Sequence, residues 1–218
     1  MIKEGEVMFY RLYILYADML IDEMIKEMLI TTFSQFIYIQ EQNNTLVFQV
    51  YTQEHDSHQN VELERMLLNV FQDTSTKIKC FVSQMFFDNQ PVEESLASSL
   101  TFLKVSKSHV LWYQQYVITQ SQVITKMYLE EQNFALFDEY TNFGELKKDQ
   151  VELLQILFKL NNNVVATSNY TYMHRNTINY QLQKIMQIIG CDIRNSDDVF
   201  LLQLYLFVHD VHIKKTRV

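Results

Sequence analysis

One stretch near the carboxyl end of this 218-residue chain, residues 174–189, constrains the fold more than any other. Apolar residues recur in it at the spacing of one helical face, at Ile178, Leu182, Ile185 and Ile189. Just upstream, residues 164–170 form a shorter helical pattern, and residues 171–173 connect the two. A short helix, a tight turn and a longer amphipathic helix together predict a helix-turn-helix.

The polar face of the longer helix carries side chains that donate to phosphates and read base edges. The pattern predicts DNA contacts from His174, Arg175, Asn176, Thr177, Asn179, Tyr180 and Lys184, with auxiliary phosphate contacts from Thr167, Lys214, Lys215 and Arg217. Arg175 suits a guanine or a phosphate, and Asn176 suits an adenine edge or the DNA backbone. His174 has a second interpretation, because it can cap or pack at the turn. The same face also fits the solvated surface of a purely structural helix.

The net charge of −8 is distributed unevenly along the chain. Residues 1–148 carry a net charge of −9, whereas residues 149–218 carry +1. Because affinity for DNA rises with each phosphate neutralised, a single copy of the carboxyl-terminal region is expected to bind weakly. Two copies side by side roughly double the phosphate contacts and match a palindromic site, so we expect a homodimer.

The first two-thirds of the chain mixes helical and strand periods. Residues 5–30 have apolar side chains at helical spacing and predict one long amphipathic helix. The elements predicted after it are a hairpin (36–40 and 46–51, around a turn at 42–44), a helix (61–71), a strand (77–87, with Ile78, Cys80 and Val82 on one face), a helix begun by Pro91 (92–105), a short buried strand (110–113) and helices near 120–131 and 133–141. This order predicts an α+β domain, with a small antiparallel or mixed sheet and helices on its faces.

A domain boundary is predicted at residues 142–145, around the only glycine between residues 5 and 190. Residues 1–143 are assigned to the α+β domain and residues 144–218 to an all-helical domain. Four helices fit the second domain. They are a helix capped by Asp149 and running to Leu160, the two helices of the helix-turn-helix, the second ended by Gly190, and an apolar helix from Ser196 to about His209.

Motifs for catalysis, metal binding and membrane insertion are absent from the sequence. Three glycines are too few for most phosphate-cradling loops, and the histidine pairs 55/58 and 209/212 lack further ligands for a four-ligand site. Cys80 and Cys191 stand in different segments and are interpreted as reduced, partly buried thiols. No apolar run reaches the length of about eighteen residues that a membrane span requires. We therefore expect a cytoplasmic protein without enzyme activity, cofactor, metal or membrane contact.

Over residues 149–209 the chain resembles the C-terminal helix-turn-helix domain of the PucR/CdaR regulators, bacterial transcription factors of purine and sugar-diacid metabolism. The resemblance rests on the motif His174-Arg175-Asn176-Thr177, on Tyr180, Leu182, Lys184 and Ile185, on Gly190, Asp192, Ile193 and Arg194, and on Asp198 with its leucine-rich helix. It implies a transcriptional regulator that binds duplex DNA. Many members place a degenerate GGDEF-like α+β domain before the helix-turn-helix, and the order of elements over residues 36–113 is similar.

The chain departs from the pattern of this family at several positions. Asn179 and Gln181 stand where the family usually has arginines, which implies a lower affinity for DNA and an altered sequence preference. Ser168 replaces an alanine, and Thr171 replaces an apolar residue, which is predicted to loosen the packing of the two helices. The hairpin turn, residues 42–44, lacks the Gly-Gly-Asp-Glu-Phe sequence, so no cyclase activity is expected.

These observations predict a DNA-binding transcriptional regulator whose acidic α+β domain senses a signal or dimerises, and which is open to a small-molecule effector. A second hypothesis comes from a different class of protein. A helix-turn-helix fold that has lost basic residues can serve as a protein-interaction module that binds a partner protein instead of DNA. Salt dependence distinguishes the two, since binding through phosphates weakens steeply as salt is raised.

Overall fold

The computed structural model describes residues 8–17, 21–32, 36–42, 45–51, 59–107 and 115–216. The chain divides into two compact units, residues 1–123 and residues 124–218, which we name the sheet unit and the helical unit. This division confirms the expected class, an α+β region followed by a helical region. It falls twenty residues before the domain boundary expected after residue 143, and the domain limits 1–143 and 144–218 stay predictions.

One mixed sheet organises the described part of the sheet unit. Its strands are β1 (Phe9–Ala17), β2 (Ile37–Gln42), β3 (Thr45–Tyr51), β4 (Ile78–Val82), β5 (Phe86–Phe87) and β6 (Val117–Thr119). The strand order is β2-β3-β1-β4-β6, and the short β5 pairs with one end of β1. Neighbouring strands are antiparallel except for β4 and β6, which run parallel. Strand β1 is therefore the hydrogen-bonded centre of the unit.

The helices of the described residues follow in chain order. In the sheet unit they are α1 (Glu23–Thr32), α2 (Gln59–Thr74) and α3 (Val92–Val105), and α4 (Gln120–Glu131) spans the limit between the units. The helical unit continues with α5 (Ala135–Tyr140), a 3-10 turn (Phe143–Glu145), α6 (Lys148–Lys159), α7 (Val164–Thr171), α8 (Arg175–Ile189) and α9 (Ser196–Thr216). Among the described residues, no helix combines the length and apolar character needed to span a membrane.

The long helix predicted over residues 5–30 is wrong, because its first half is strand β1. Every residue from Phe9 to Leu15 is buried. A strand covered on both faces reads as a continuous apolar run, which periodicity cannot distinguish from a helix. The second half contains the helix α1, which buries Ile25 and Leu29 and leaves Met24 69% exposed.

Most of the remaining predictions in this half are confirmed. The hairpin is formed by β2 and β3, α2 covers the predicted helix, and α3 follows Pro91, which is the residue that precedes the helix rather than its first turn. The strand predicted over residues 77–87 is split between β4 and β5. Strand β6 was missed, because three residues carry too little periodicity to predict. The strand expected at residues 110–113 lies outside the described residues.

The core of the sheet unit lies between one face of the sheet and the first two helices. Strand residues Leu15, Phe48 and Cys80 pack there against side chains from α1 and α2. Cys80 is fully buried, which raises the pKa of its thiol well above the ordinary value. Across the opposite face, the ring of Phe81 stacks on Phe102 of α3 with centroids 5.8 Å apart. Both faces of the sheet are therefore covered.

An aromatic cluster forms part of the core of the helical unit. Phe137 of α5 and Phe143 of the 3-10 turn contact the ring of Tyr205 on α9, with centroids 5.4 and 5.1 Å from it. Phe134 stacks on the same ring at 5.7 Å. Burial and the carboxylate of Asp138 raise the pKa of Tyr205. These contacts fix the residues that precede α6 to the last helix of the unit.

The four helices predicted at the carboxyl end are present, with small corrections to their ends. The residue that caps α6 is Lys147 rather than Asp149, which lies in the first turn, where its negative charge favours the helix dipole. Asn161 and Asn162 have φ values of 54° and 58°, which interrupt the helical conformation after α6. Helix α9 continues past the predicted end at His209 to Thr216.

Candidate functional site

Helices α7 and α8 are capped by the side chains of the residues that directly precede them, Asn163 and His174. The side-chain oxygen Oδ1 of Asn163 accepts a hydrogen bond from the backbone of Ala166 at 2.9 Å. At the start of α8, Nδ1 of His174 accepts from the backbone N–H of Asn176 at 3.2 Å. The capping interpretation of His174 therefore holds, and its side chain remains exposed. Gly190 ends α8 at φ 64°, in the left-handed conformation expected of a helix-terminating glycine.

The turn between α7 and α8 is held by two hydroxyl groups. The Oγ of Ser168 donates to the carbonyl oxygen of Met173 at 2.6 Å, which joins α7 to the far end of the turn. The Oγ1 of Thr171 donates to the carbonyl oxygen of Thr167 at 2.8 Å and accepts from the N–H of Met173 at 3.4 Å. Thr171 was predicted to loosen this region, but its hydroxyl contributes hydrogen bonds on both sides of the turn.

The inner face of α8 is the apolar stripe that the spacing predicts. Its buried residues are Ile178, Leu182, Ile185, Met186 and Ile189. Met186 is the one member that the original spacing did not include. Burying side chains of this kind contributes roughly 1.5–3 kcal/mol each to stability, relative to leaving them exposed. The orientation of α8 on its neighbours is therefore fixed by its apolar face, and its polar face is left to solvent.

The outer face of α8 exposes all seven side chains predicted to contact DNA. They are His174, Arg175, Asn176, Thr177, Asn179, Tyr180 and Lys184. The Nζ of Lys184 lies 4.4 Å from the centre of the Tyr180 ring, which is a cation–π contact between residues one helical turn apart. Whether these residues bind DNA stays a prediction.

Thr167 does not belong with the predicted contacts and is corrected here. It is fully buried, with 0% of its surface exposed, and its Oγ1 donates to the carbonyl oxygen of Asn163 at 2.9 Å. A buried hydroxyl that is already bonded to its own helix is not available to a phosphate. Arg217 lies outside the described residues, as do the side chains of Lys214 and Lys215.

A carboxylate clamp follows α8 and was not predicted from the sequence. The guanidinium of Arg194 donates to both carboxylate oxygens of Asp192, at 2.8 and 2.9 Å. The buried carboxylate of Asp198 in turn accepts from the backbone N–H of Asp192 at 2.7 Å. Asp192, Arg194 and Asp198 therefore shape the connection between α8 and α9. Their sequence signal was the Gly-x-Asp-x-Arg motif, to which no role had been assigned.

The segment around the helix-turn-helix is free of acidic residues, although the chain has 26 Asp and Glu in total. Residues 153–191 include no Asp or Glu and carry Lys159, Arg175 and Lys184. The charge of α8 itself comes from Arg175 and Lys184 alone. This segment therefore has a small positive net charge within an acidic chain.

The other candidate sites considered from the sequence gain no ligand set. The ring of His209 lies 5.4 Å from that of Tyr205, so the histidine takes part in the aromatic cluster. His55 and His58 lie outside the described residues, as does the side chain of His212. Within the part of the chain that the structure describes, no three His, Cys, Asp or Glu side chains are grouped as metal ligands.

Part of the chain matches the model of a known protein family. Residues 150–208 match the model of the PucR C-terminal helix-turn-helix domain. A "Leucine-rich protein" of Streptococcus dysgalactiae subsp. equisimilis is 29% identical over 91 residues, which are 41% of this chain and 32% of that protein. The chain therefore matches about a third of the length of this relative.

Among solved structures, the chain is similar to the crystal structure of a regulator of polyketide synthase expression from Bifidobacterium adolescentis. The two are 12% identical, with a TM-score of 0.41, and the match covers 96% of this chain and 83% of the other. The residues that match the family model, 150–208, include α7, the turn and α8. The suggested likeness of the sheet unit to a GGDEF domain stays a prediction.

Proposed function

We propose that this chain is a transcriptional regulator that binds duplex DNA and places the start of α8 in the major groove. The observation that carries the proposal is the division of α8 into two faces. Its apolar residues are buried, and every predicted contact side chain from His174 to Lys184 is exposed on a PucR-type helix-turn-helix domain. In helix-turn-helix proteins the amino-terminal residues of the second helix contact base edges.

The charges near the site support DNA as the ligand. Asp and Glu are absent from residues 153–191, so approach of a phosphate backbone meets no fixed negative charge from this segment. The start of α8 also favours an anion, because the positive end of the helix dipole lies there. Arg175 is the first residue of the helix and brings a full charge to the same end.

Affinity and assembly follow from the small number of cations. Arg175 and Lys184 allow few phosphate contacts for one copy of α8, so useful affinity requires two copies on adjacent half-sites. We therefore propose a homodimer that acts in the cytoplasm and has no catalytic activity of its own. The acidic sheet unit is proposed as the part that senses a signal, through a small-molecule effector, or that forms the dimer.

A salt titration of the 218-residue chain tests the proposal. Fluorescence anisotropy with labelled duplex DNA, measured from low to physiological salt, is expected to show log K falling linearly with log salt, at a slope of about −0.9 per phosphate contact. Selection of bound sequences from a random duplex pool then supplies the preferred site. Absence of binding even at low salt contradicts the proposal and favours the alternative, a helix-turn-helix fold that binds a partner protein.

A matched variant separates the site from the rest of the chain. Replacing Asn176 and Asn179 together by aspartate puts two negative charges on the outer face of α8, and both positions are exposed, so the fold is expected to persist. Loss of DNA binding with an unchanged melting temperature supports α8 as the contact helix. Unchanged binding locates the DNA contact elsewhere in the chain.

A further inference from the structure

Tyr172 lies at the centre of the turn, and its side chain is almost completely exposed on a left-handed backbone. With 96% of its surface accessible, it is the most exposed of the large apolar and aromatic side chains that the structure describes. Its backbone has φ 56° and ψ 21°, in the left-handed region where glycine or asparagine is normally found. Neither packing nor backbone preference accounts for a tyrosine at this position, so a role outside the fold is indicated.

The turn presents Tyr172 in a fixed place. The hydroxyls of Ser168 and Thr171 hydrogen-bond to Met173 and to α7, on both sides of Tyr172. The residue lies two positions before His174, which caps the helix whose first turn bears Arg175. The backbone of Tyr172 is therefore fixed next to the end of α8 that is proposed to enter the groove, and its phenol is exposed to solvent.

We propose that the hydroxyl of Tyr172 donates a hydrogen bond to a phosphate oxygen at the rim of the groove. This inference rests on the proposed function and adds a neutral contact to the two cations of α8, Arg175 and Lys184. Tyrosine hydroxyls are among the common donors to the DNA backbone, and such contacts fix the register of a protein on the duplex.

A neutral donor has a signature that separates it from a cation. Arg175 neutralises a phosphate and releases counterions, whereas the Tyr172 hydroxyl adds a hydrogen bond without releasing any. Removing the hydroxyl is therefore expected to lower affinity by the same factor at every salt concentration. The slope of log K against log salt stays that of the wild type.

Two variants of the 218-residue chain test the inference by anisotropy with labelled duplex DNA and by thermal unfolding. Tyr172→Phe is expected to weaken binding about tenfold with an unchanged salt slope, as for loss of a hydrogen bond to a charged group. Tyr172→Gly is expected to weaken binding at least as much without a lower melting temperature, because glycine accepts the left-handed backbone. Gln132→Gly is the matched control: this exposed residue has φ 51° and lies outside the matched domain, so affinity is expected to stay unchanged.

The outcomes distinguish this inference from the proposal beneath it. If the wild-type chain binds duplex DNA and Tyr172→Phe binds equally well, the inference is wrong and the proposed function stands. If Tyr172→Gly loses affinity only together with a lower melting temperature, the residue is structural and the inference is again wrong. If the wild-type chain binds no duplex even at low salt, the proposed function fails and the phosphate contact fails with it.

Discussion

Strand β1 of the sheet unit and helix α8 of the helical unit are both central to their units, yet they use their side chains differently. In β1 every residue from Phe9 to Leu15 is buried, including Arg11, whose guanidinium donates to the carbonyl oxygen of Ser83 at 2.8 Å. In α8 burial is confined to one apolar face. An element covered on both sides contributes stability, whereas an element covered on one side also has a face for a partner.

Because residues Phe9 to Leu15 of β1 are buried, we expect a binding function on the exposed face of α8 instead. Buried polar side chains of β1 bond within the unit: the hydroxyl of Tyr10 forms a hydrogen bond of 2.8 Å with the Oγ of Ser95. The polar atoms of Arg175, Asn176 and Asn179 on α8 face solvent. Substitutions in β1 are therefore expected to act on the free energy of unfolding. Substitutions on α8 are expected to separate into those that act on unfolding and those that act on binding.

The largest effect is expected from a charge placed in β1. Leu15 is fully buried in the core between the sheet and the first two helices, so Leu15→Asp buries a carboxylate without a partner. The expected cost is more than about 4 kcal/mol, enough to unfold the sheet unit. Urea unfolding followed by circular dichroism measures it. A cooperative transition at the wild-type midpoint would show that the interior position of β1 is wrong.

The next effect is expected from the inner face of α8. Ile178 has 0% of its surface exposed, and Ile178→Ala is expected to destabilise the helical unit by about 2–5 kcal/mol through the cavity that it leaves. Its neighbour Asn179 is exposed and gives the control, since Asn179→Ala is expected to change stability by less than about 0.5 kcal/mol. Similar costs for the two variants in urea unfolding would remove the distinction between the faces.

A smaller effect, on binding rather than stability, is expected from the outer face. Arg175→Ala is expected to weaken duplex binding by about 1–3 kcal/mol and to reduce the salt slope by about one phosphate contact. The unfolding midpoint is expected to stay at the wild-type value, because the side chain is exposed. Anisotropy at several salt concentrations measures both quantities. Unchanged affinity and slope would remove Arg175 from the contact surface.

The sequence predicted α8 better than β1 for a physical reason. The hydrogen bonds and the periodicity of a helix lie within its own residues. The spacing of Ile178, Leu182, Ile185 and Ile189 was therefore enough to predict the buried and the exposed face of α8. A central strand is defined by partners far away in the chain, and β1 pairs with β3 and β4. The three-residue strand β6 is recognisable only through its parallel pairing with β4. Local periodicity contains none of this information.

The candidate site shows the same limit at the level of single residues. Exposure of Arg175 and Asn176 followed from the period of α8, but Thr167 was placed on the wrong side, because α7 is only eight residues long and has no clear apolar face. The clamp between Arg194 and Asp192 and the positive φ of Tyr172 depend on backbone geometry. The Gly-x-Asp-x-Arg spacing marked the residues of the clamp without giving their hydrogen bonds, and the spacing of residue types carries no information on the φ of Tyr172.

The smallest predicted effect tests the burial of Tyr10 in β1 through the pH dependence of the free energy of unfolding. Burial raises the pKa of Tyr10 above its ordinary value of 10.0, with further contributions from Asp88 and Glu93. The unfolded chain then releases this proton at a lower pH than the folded chain does. The stability that depends on the neutral phenol is complete below pH 10 and is lost as pH rises above it, by at most about 1.4 kcal/mol per pH unit. Tyr10→Phe is expected to flatten this loss, at a constant cost of about 0.5–1.5 kcal/mol from the missing hydrogen bonds. Urea unfolding at pH 8, 10 and 11 measures both, and an equal decline for wild type and variant would mean that Tyr10 ionises as freely in the fold as outside it.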